Sequence, residues 1–428
     1  MNQKILTALL LTTSLATAQA QTFDSYFVDK TLRVDYIFSG NRSCLSVSLW
    51  GMTQLPTWAG RRHHLDETPL KGWGDLCMRD HASGQVIYRT SFSSLFQEWL
   101  QTDEAVQTGR SFENTFLLPY PKAEADVSLT LYDERGQAAA HFTHAVRPDD
   151  ILIRRPRHAD TPAHVDLLRS GSPAECIDVV VLAEGYTAGE RELFYADARR
   201  ACQSLLAHEP FGRLRHKFNI VAVACESKES GVSIPRADVW KETVFSSHFD
   251  TFYSERYLTT SHVRAIHDQL VNIPYEHIII LANTDTYGGG GIYNAYTLTT
   301  AHHDKFEPVV VHEFGHSFGG LGDEYFYEND LFADSHPHDV EPWEPNVTTL
   351  VDFGSKWEDM LPEGTPVPTV PDPAEPYRTG VYEGAHYTAK GAYRPAYDCR
   401  MRSNAATQFC PVCQRALARI IHFYTERP

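Results

Sequence analysis

Residues 306–325 read FEPVVVHEFGHSFGGLGDEY and contain the pentapeptide His-Glu-x-x-His. Residues four apart on an α-helix lie about 40° apart around its axis, so His312 and His316 share one helix face. Two imidazoles at this spacing can bind one Zn²⁺, and Glu313 beside them can take a proton from a water on the metal. Valines at 309–311 precede the motif, as suits a helix packed against a sheet. The stretch therefore predicts a buried helix that carries a metal site.

The chain after this helix has to return to the metal, because a catalytic zinc needs three protein ligands and one open position. Gly319 and Gly320 fall where the helix must end, since glycine permits the left-handed conformation that turns the chain. Asp323 follows this turn directly and is the preferred third ligand. Other side chains that could reach the metal are Glu324, His336 and His338.

Strand-like and helix-like segments alternate on the N-terminal side of the motif. Buried strands are predicted at 178–183, 217–225, 277–283 and 292–300. Helices are predicted at 189–208, 261–272 and 306–318. Alternation of this kind is typical of an α/β domain built on a mostly parallel sheet. We place this domain at 148–428, with a proline-containing linker at 148–156.

The first third of the chain has a different pattern, with short strands separated by turns. Strand-like runs occur at 32–38, 44–50 and 85–92. Residues 126–146 alternate apolar and polar side chains on both sides of an Asp-Glu-Arg-Gly turn, which predicts a hairpin. Several short strands with little helical periodicity indicate a β-sandwich at 21–147.

The N-terminus, MNQKILTALLLTTSLATAQA, has the layout of a secretory signal peptide at 1–20. Lys4 precedes a short apolar stretch, and Ala18-Gln19-Ala20 fits a cleavage site of small residues. We therefore expect an exported protein, periplasmic or extracellular, whose mature chain begins near Gln21. No later stretch approaches the ~18 apolar residues that a membrane span needs, so no integral membrane segment is expected.

The balance of charges excludes one class of partner. The 428 residues include 55 acidic and 38 basic side chains, which gives a formal net charge of −17. Nucleic acids attract basic surfaces, and their binding depends on Lys and Arg contacts with phosphates. The acidic excess therefore argues against a nucleic-acid-binding protein.

The expected export affects the interpretation of the eight cysteines, because exported proteins often contain disulfides. An even number in an oxidising compartment suggests disulfides, and Cys44 and Cys77 are a plausible local pair. The Cys-Pro-Val-Cys segment at 410–413 is open to a redox interpretation or to a structural zinc site, which would need a fourth ligand close by. Export favours disulfides from the cysteines at 399, 410 and 413, of which at least one must bond a distant cysteine or stay free.

The motif resembles a known group of enzymes. His-Glu-x-x-His-x-x-Gly, a third ligand and a later methionine turn form the pattern of the metzincin zinc peptidases, whose third ligand usually lies ten residues after the first histidine. Here that position is Gly322, and Asp323 lies one residue further on. This spacing, the Asp-Glu-Tyr ending and the Cys-x-Met…Cys-Pro-x-Cys segment at 399–413 resemble the IgA-specific metalloendopeptidase family. The resemblance implies an N-terminal β-sandwich followed by a metzincin-like zinc peptidase domain, with Met401 as the methionine turn.

The same resemblance implies a set of roles. One catalytic zinc ion would be held by His312, His316 and Asp323, with Glu313 as the general base. The substrate would be a protein or a peptide. The strand at 292–300 occupies the place of the edge strand that metzincins use to hold peptide substrate, since an unpaired edge can add an extended chain. The glycine run before it could instead form no more than a flexible rim.

Two other functions remain compatible with these residues. One is a non-catalytic exported protein that binds protein or glycan and carries a structural zinc. Glu313 argues against it, because a structural site needs no carboxylate beside its ligands. The other is a zinc amidase that acts on cell-wall peptides, which would hydrolyse amides by the same chemistry as a peptidase. The favoured interpretation is an exported zinc-dependent endopeptidase.

Overall fold

The computed structural model describes residues 22–156, 160–327 and 336–427. The expected signal peptide at 1–20 lies outside them. The described residues form two domains, both rich in β-sheet. The helices of the N-terminal domain are α1 (Phe23–Tyr26), α2 (Leu95–Trp99) and α3 (Glu104–Gln107). Its strands are β1 (Phe27–Asn41), β2 (Cys44–Leu55), β3 (Gly74–Asp80), β4 (Val86–Phe92), β5 (Arg110–Pro121), β6 (Ala125–Tyr132) and β7 (Ala138–Val146).

Two antiparallel sheets make up the N-terminal domain, with strand orders β2-β1-β5 and β4-β3-β6-β7. Along β6 every second residue is buried, which is the period of a strand with one face on a core. Both sheets contribute to one apolar cluster, for example Phe38 from β1 and Leu76 from β3. The predicted hairpin at 126–146 is confirmed as β6 and β7. The sequence did not predict β3 or β5, in which charged, amide and proline residues weaken the strand pattern.

The C-terminal domain contains a six-stranded sheet and a separate hairpin. Its strands are β8 (Ala163–Leu168), β9 (Ile177–Glu184), β10 (Phe218–Ala224), β11 (His277–Ala282), β12 (Gly289–Ile292), β13 (Tyr296–Thr300), β14 (Tyr382–Ala385) and β15 (Thr388–Arg394). Its helices are α4 (Arg191–Leu206), α5 (Val263–Asp268), α6 (Phe306–Gly319) and α7 (Pro411–Thr425). The sheet order is β12-β13-β11-β9-β10-β8, with β13, β11, β9 and β10 parallel to one another. The predicted α/β alternation is therefore confirmed.

Both faces of this sheet are covered, which explains why its central strands are continuous apolar runs. Side chains along a strand alternate between faces. Val179 and Val181 of β9 join a cluster that includes residues of α4, α6 and α7. Val180 and Leu182 point the other way and belong to the cluster that fills the N-terminal domain. The two domains therefore share one continuous apolar core.

The predicted strand at 292–300 is wrong in its boundaries. The chain forms a tight hairpin there, and the glycine run itself is the edge strand β12, while β13 lies inside the sheet. Glycine seldom favours a strand by propensity, so this strand depends on contacts with distant residues. The antiparallel edge strand β8 was not predicted, and the predicted helix at 261–272 is the shorter α5. The predicted linker is partly paired with β2, since Gln54 N–H donates to Arg154 O at 2.8 Å.

All eight cysteines lie within the described residues, and none of them forms a disulfide. Cys44 is exposed at the start of β2, whereas Cys77 is buried in β3 of the other sheet. The expected bridge between them is therefore not confirmed, and neither are bridges from the cysteines at 399, 410 and 413. Among the helices in the described ranges, none is both long and apolar enough to cross a membrane.

Candidate active site

Helix α6 carries the predicted motif and also has a buried apolar face. Its valines and phenylalanines pack inward, while His312 and His316 lie on a half-buried face one turn apart. The helix ends at Gly320, whose φ of +55° is left-handed and whose N–H donates to the carbonyl of His316. The predicted glycine stop is confirmed, and it directs the following residues back towards the two histidines.

Three of the predicted side chains meet beside this helix. The Nε2 atoms of His312 and His316 lie 3.0 Å apart. Asp323 Oδ1 lies 3.1 Å from the first Nε2 and 3.3 Å from the second. Two nitrogen ligands of one tetrahedral zinc would be separated by about 3.3 Å, given zinc–nitrogen bonds of about 2.0 Å. The three residues form one group that could hold a metal ion. Among the described residues, this group does not include any of the three alternative third ligands, Glu324, His336 and His338.

Backbone carbonyls fix the orientation of both imidazoles. His312 Nδ1 lies 2.9 Å from the carbonyl oxygen of Arg400, and His316 Nδ1 lies 2.6 Å from that of Leu321. A carbonyl can only accept, so each Nδ1 carries the proton and each Nε2 keeps its lone pair. Both lone pairs are therefore directed at the space beside Asp323, as metal ligation requires.

Asp323 is buried and has one carboxylate oxygen without a hydrogen-bond partner. Its Oδ2 accepts a hydrogen bond from the hydroxyl of Tyr387, whereas Oδ1 faces the two imidazoles alone. Burial opposes ionisation of this carboxyl, whereas positive charge on His316 and His312 lowers its pKa well below the usual range, so a cation in this place favours the ionised form. A buried, ionised and under-coordinated oxygen is costly unless a cation pairs with it. The three side chains therefore fit a metal ion.

Glu313 lies next to this group and faces β12. Burial raises the pKa of its carboxyl, while His312 and His316 act in the opposite direction. A Cβ atom at Gly289 would come within 2.9 Å of Glu313 Oε1, so glycine allows the edge strand to approach the carboxylate. On the side of β12 that faces away from β13, Gly289 forms an isolated β-bridge with Tyr257. Among the described residues, no other β-bridge forms on that side of the strand.

Gly291→Ala should disturb both the fold and the site. The added Cβ would overlap the carbonyl oxygen of Glu313 and lie 2.9 Å from His316 Cβ, where helix backbone cannot easily yield. We expect a loss of about 1–3 kcal/mol in the free energy of unfolding, together with lower activity. Gly51→Ala in β2 is the control, because nothing lies within 4 Å of its Cβ. Urea unfolding of both variants measures the difference, and equal stabilities would contradict the close approach.

A strained turn places Tyr387 over the site. His386 and Tyr387 are the two central residues of the hairpin between β14 and β15, with φ of +54° and +67°. Such turns favour Asn-Gly, and non-glycine residues there cost of order 1–3 kcal/mol each. His386 N–H donates to the carbonyl of Asp323 at 2.9 Å, so the turn is fixed to the ligand loop, which is the segment 321–325 that carries Asp323. No local sequence signal identifies Tyr387, because its turn contains none of the usual turn residues.

Tyr387→Phe should weaken the metal site while leaving the fold intact. Loss of the hydroxyl removes the hydrogen bond that orients Asp323, and partners of this kind typically contribute 10–100-fold to metal affinity or activity. Competition with a chromogenic chelator measures the affinity. Tyr382→Phe in the same hairpin is the control, since its hydroxyl donates to the carbonyl of Arg378 instead. Equal affinities for the two variants would remove Tyr387 from this role.

The segment 399–401 packs against helix α6. A Cβ atom at Gly315 would approach Met401 Sδ to 2.7 Å, so the thioether packs directly against the backbone between the two histidines. The carbonyl of Met401 accepts a hydrogen bond from Glu324 N–H at 2.9 Å. This segment therefore contacts both the motif helix and the loop that carries Asp323.

The N-terminal domain supplies part of the cleft in front of the site. The cleft has a volume of about 710 Å³, and Trp73, Gln97 and Glu98 line it together with the motif residues. Glu98 of α2 accepts a hydrogen bond from the hydroxyl of Tyr257, and burial raises the pKa of its carboxyl to about 7. This contribution could not be predicted from the sequence, because it depends on how the two domains pack.

Comparison with known proteins agrees with this arrangement. The family model described as IgA Peptidase M64 matches residues 165–377 and 370–421. A second model, described as Peptidase M64 N-terminus, matches residues 22–143. Among curated proteins, none matches this chain. Because the matched segments cover more than half of the chain and include the motif helix, the protein belongs to the IgA peptidase M64 family and is a metallopeptidase.

Proposed function

We propose that this metallopeptidase is a zinc-dependent endopeptidase with His312, His316 and Asp323 as the metal ligands and Glu313 as the general base. The observation that carries the proposal is the convergence of two imidazole Nε2 atoms and an unpartnered carboxylate oxygen at 3.0–3.3 Å. A zinc ion bound by this set supplies a Lewis acid and an acidified water at neutral pH. Imidazole and carboxylate are normal zinc ligands.

The chain's own groups perform the remaining steps. Glu313 takes the proton of the attacking water and passes it to the departing amine nitrogen, which completes hydrolysis of the amide. Its raised pKa suits a group that must both accept and release a proton. Tyr387 holds Asp323 in place, and the carbonyls of Arg400 and Leu321 keep both imidazoles in the ligating tautomer.

The substrate is proposed to be an extended segment of a protein or peptide. β12 is the edge of the sheet and lies against Glu313, so a chain added to its outer side would pass the general base. The β-bridge from Tyr257 occupies this edge at Gly289, the first residue of β12. An added segment could therefore pair only with the residues of β12 that follow Gly289. Backbone recognition of this kind accepts varied side chains.

Degradation of an unfolded protein tests this function directly. Mature protein loaded with zinc should cleave reduced, alkylated casein at internal bonds. A chelator should abolish cleavage, and zinc should restore it. Exopeptidase trimming alone, or cleavage that survives complete metal removal, would contradict the proposal. Activity confined to cell-wall peptides would favour an amidase instead.

The architecture that we propose is the one predicted from the sequence. We assign a β-sandwich to 21–147 and a metzincin-like catalytic domain to 148–428. Support comes from the two antiparallel sheets that share one core and from the methionine packed beneath the motif helix. The glycine-terminated helix and returning acidic loop add to it.

Export is proposed from the N-terminal sequence. The mature chain should begin near Gln21, because signal peptidase recognises small residues such as Ala18 and Ala20 before the cut. Expression of the full chain in a bacterial host, followed by N-terminal sequencing of the periplasmic and secreted fractions, measures the start site. An intact Met1 in the exported protein would overturn this prediction.

A further inference from the structure

A second group of ligating side chains lies behind the loop that carries Asp323. It consists of one carboxylate and three thiols, all buried, whose ligand atoms lie within 4.8 Å of one another: Glu324, Cys399, Cys410 and Cys413. The Sγ atoms of Cys399 and Cys413 are 3.8 Å apart, and Cys413 Sγ is 3.1 Å from Glu324 Oε1. These residues come from three separate parts of the sequence, so the fold alone brings them together.

The distances fit a tetrahedral metal site. Zinc–sulfur bonds of about 2.3 Å place two thiolates of one tetrahedral ion about 3.8 Å apart, whereas a disulfide would need about 2.05 Å. Glu324 is fully buried, and its Oε2 has no hydrogen-bond partner. A buried carboxylate oxygen left in this state is costly unless it pairs with a cation.

We propose that Glu324, Cys399, Cys410 and Cys413 bind a second metal ion, a structural zinc distinct from the catalytic one. Thiolate ligands select soft or borderline ions, and a tetrahedral site with three sulfurs suits zinc. Four protein ligands leave no open position for water or substrate, which is the mark of a structural site. Glu324 is the fourth ligand that the Cys-Pro-Val-Cys segment requires.

The surroundings offset the negative charge of such a site. Asn346 Nδ2 donates to Glu324 Oε1 at 2.9 Å, and Cys410 N–H donates to Cys399 Sγ at 3.2 Å. Cys410 is the N-cap of α7, and Cys413 lies in the first turn of that helix. The positive end of a 15-residue helix therefore faces the thiolates.

The site would hold in place both loops that position the catalytic ligands. Glu324 follows Asp323 in the chain, and their side chains have different partners: Asp323 lies beside the two histidines and Glu324 beside Cys413. One side chain would therefore serve each metal. Cys399 precedes Arg400, whose carbonyl fixes the tautomer of His312. The second metal thus ties the ligand loop and the 399–401 segment to the start of α7.

Metal content of the full mature chain tests the proposal. Protein purified with excess Zn²⁺ and freed of loosely bound metal should contain two ions per chain. Asp323→Ala should retain one ion, held by the three cysteines and Glu324, even if the proposed catalytic function is wrong. Cys413→Ser should lose the second ion, while Cys202→Ser, which removes a buried thiol from α4, should keep both. An Asp323→Ala chain that holds no metal would overturn the proposal.

Cobalt and thiol chemistry provide readouts that do not depend on activity. Co²⁺ bound to the Asp323→Ala chain should show intense thiolate-to-metal charge-transfer absorption, and adding Cys413→Ser should remove it. If Cys413→Ser does not fold, alkylation of the parent chain followed by peptide mass spectrometry replaces it. The thiols at 399, 410 and 413 should be protected by metal and become reactive when a chelator is added. A disulfide between any two of them, or reactivity that ignores the chelator, would overturn the proposal.

Discussion

Glu313→Gln is expected to lower kcat/KM for casein or peptide hydrolysis by at least 10²–10⁴-fold, the usual range for loss of a general base. Glutamine has nearly the same size and can still face β12, but its amide cannot accept the proton of the attacking water. Because Glu313 is not among the three side chains that could hold the metal ion, metal content should stay unchanged. Steady-state kinetics and metal analysis of the same sample measure the two quantities.

Glu307→Gln is the matched control for this variant. Glu307 lies in the first turn of α6 and is well exposed, with its carboxylate 3.7 Å from the guanidinium of Arg200. Glu307→Gln should leave kcat/KM within about twofold of the parent value. The exposed ion pair that it removes contributes at most about 1 kcal/mol to stability, so the fold around the site should stay intact. If Glu313→Gln keeps activity within about tenfold of the parent, another group must accept the proton.

Local features of the site could be predicted from the sequence because they depend on short spacings. His312 and His316 share a face through helix geometry alone, and Gly320 ends the helix through its left-handed backbone. The return of Asp323 follows from that turn. Each of these inferences involves residues within about three turns of helix, so no knowledge of the distant packing is needed.

Features that depend on distant residues could not be predicted. β12 is a strand only because β13 and α6 cover it, although its glycines have poor strand propensity. Tyr387 reaches Asp323 through a strained turn 64 residues further along the chain. Glu98 enters the cleft from the other domain.

Glu324 was a candidate ligand for the catalytic metal, but its position in the structure indicates a different role. By sequence it competes with Asp323 for the same metal, since both follow the glycine turn. In the structure it points to the opposite side and approaches Cys413, which lies 89 residues away. Spacing along the chain does not reveal this partner, because the contact forms only when α7 packs behind the ligand loop.

Asp323→Ala is expected to remove metal from the catalytic site and to abolish hydrolysis. The substitution deletes the only carboxylate of the three-residue group and leaves two imidazoles to hold the ion. Replacing groups that merely orient ligands costs 10–100-fold in affinity, so loss of a ligand should weaken binding by more than about 100-fold. Chelator competition and kcat/KM measure the two effects.

Asp323→Asn separates the charge of this ligand from its shape. Asparagine can keep its oxygen at the position of Oδ1, facing the metal, while its amide nitrogen takes the position of Oδ2 and donates to the hydroxyl of Tyr387. That oxygen is neutral and attracts a divalent cation less strongly than a carboxylate does. We expect affinity between that of the parent and that of Asp323→Ala, because the oxygen stays in position while the charge is lost. His336→Ala and His338→Ala test the alternative ligands and should leave the metal affinity unchanged. If either histidine variant loses the catalytic metal while Asp323→Ala keeps it, the third ligand is that histidine and not Asp323.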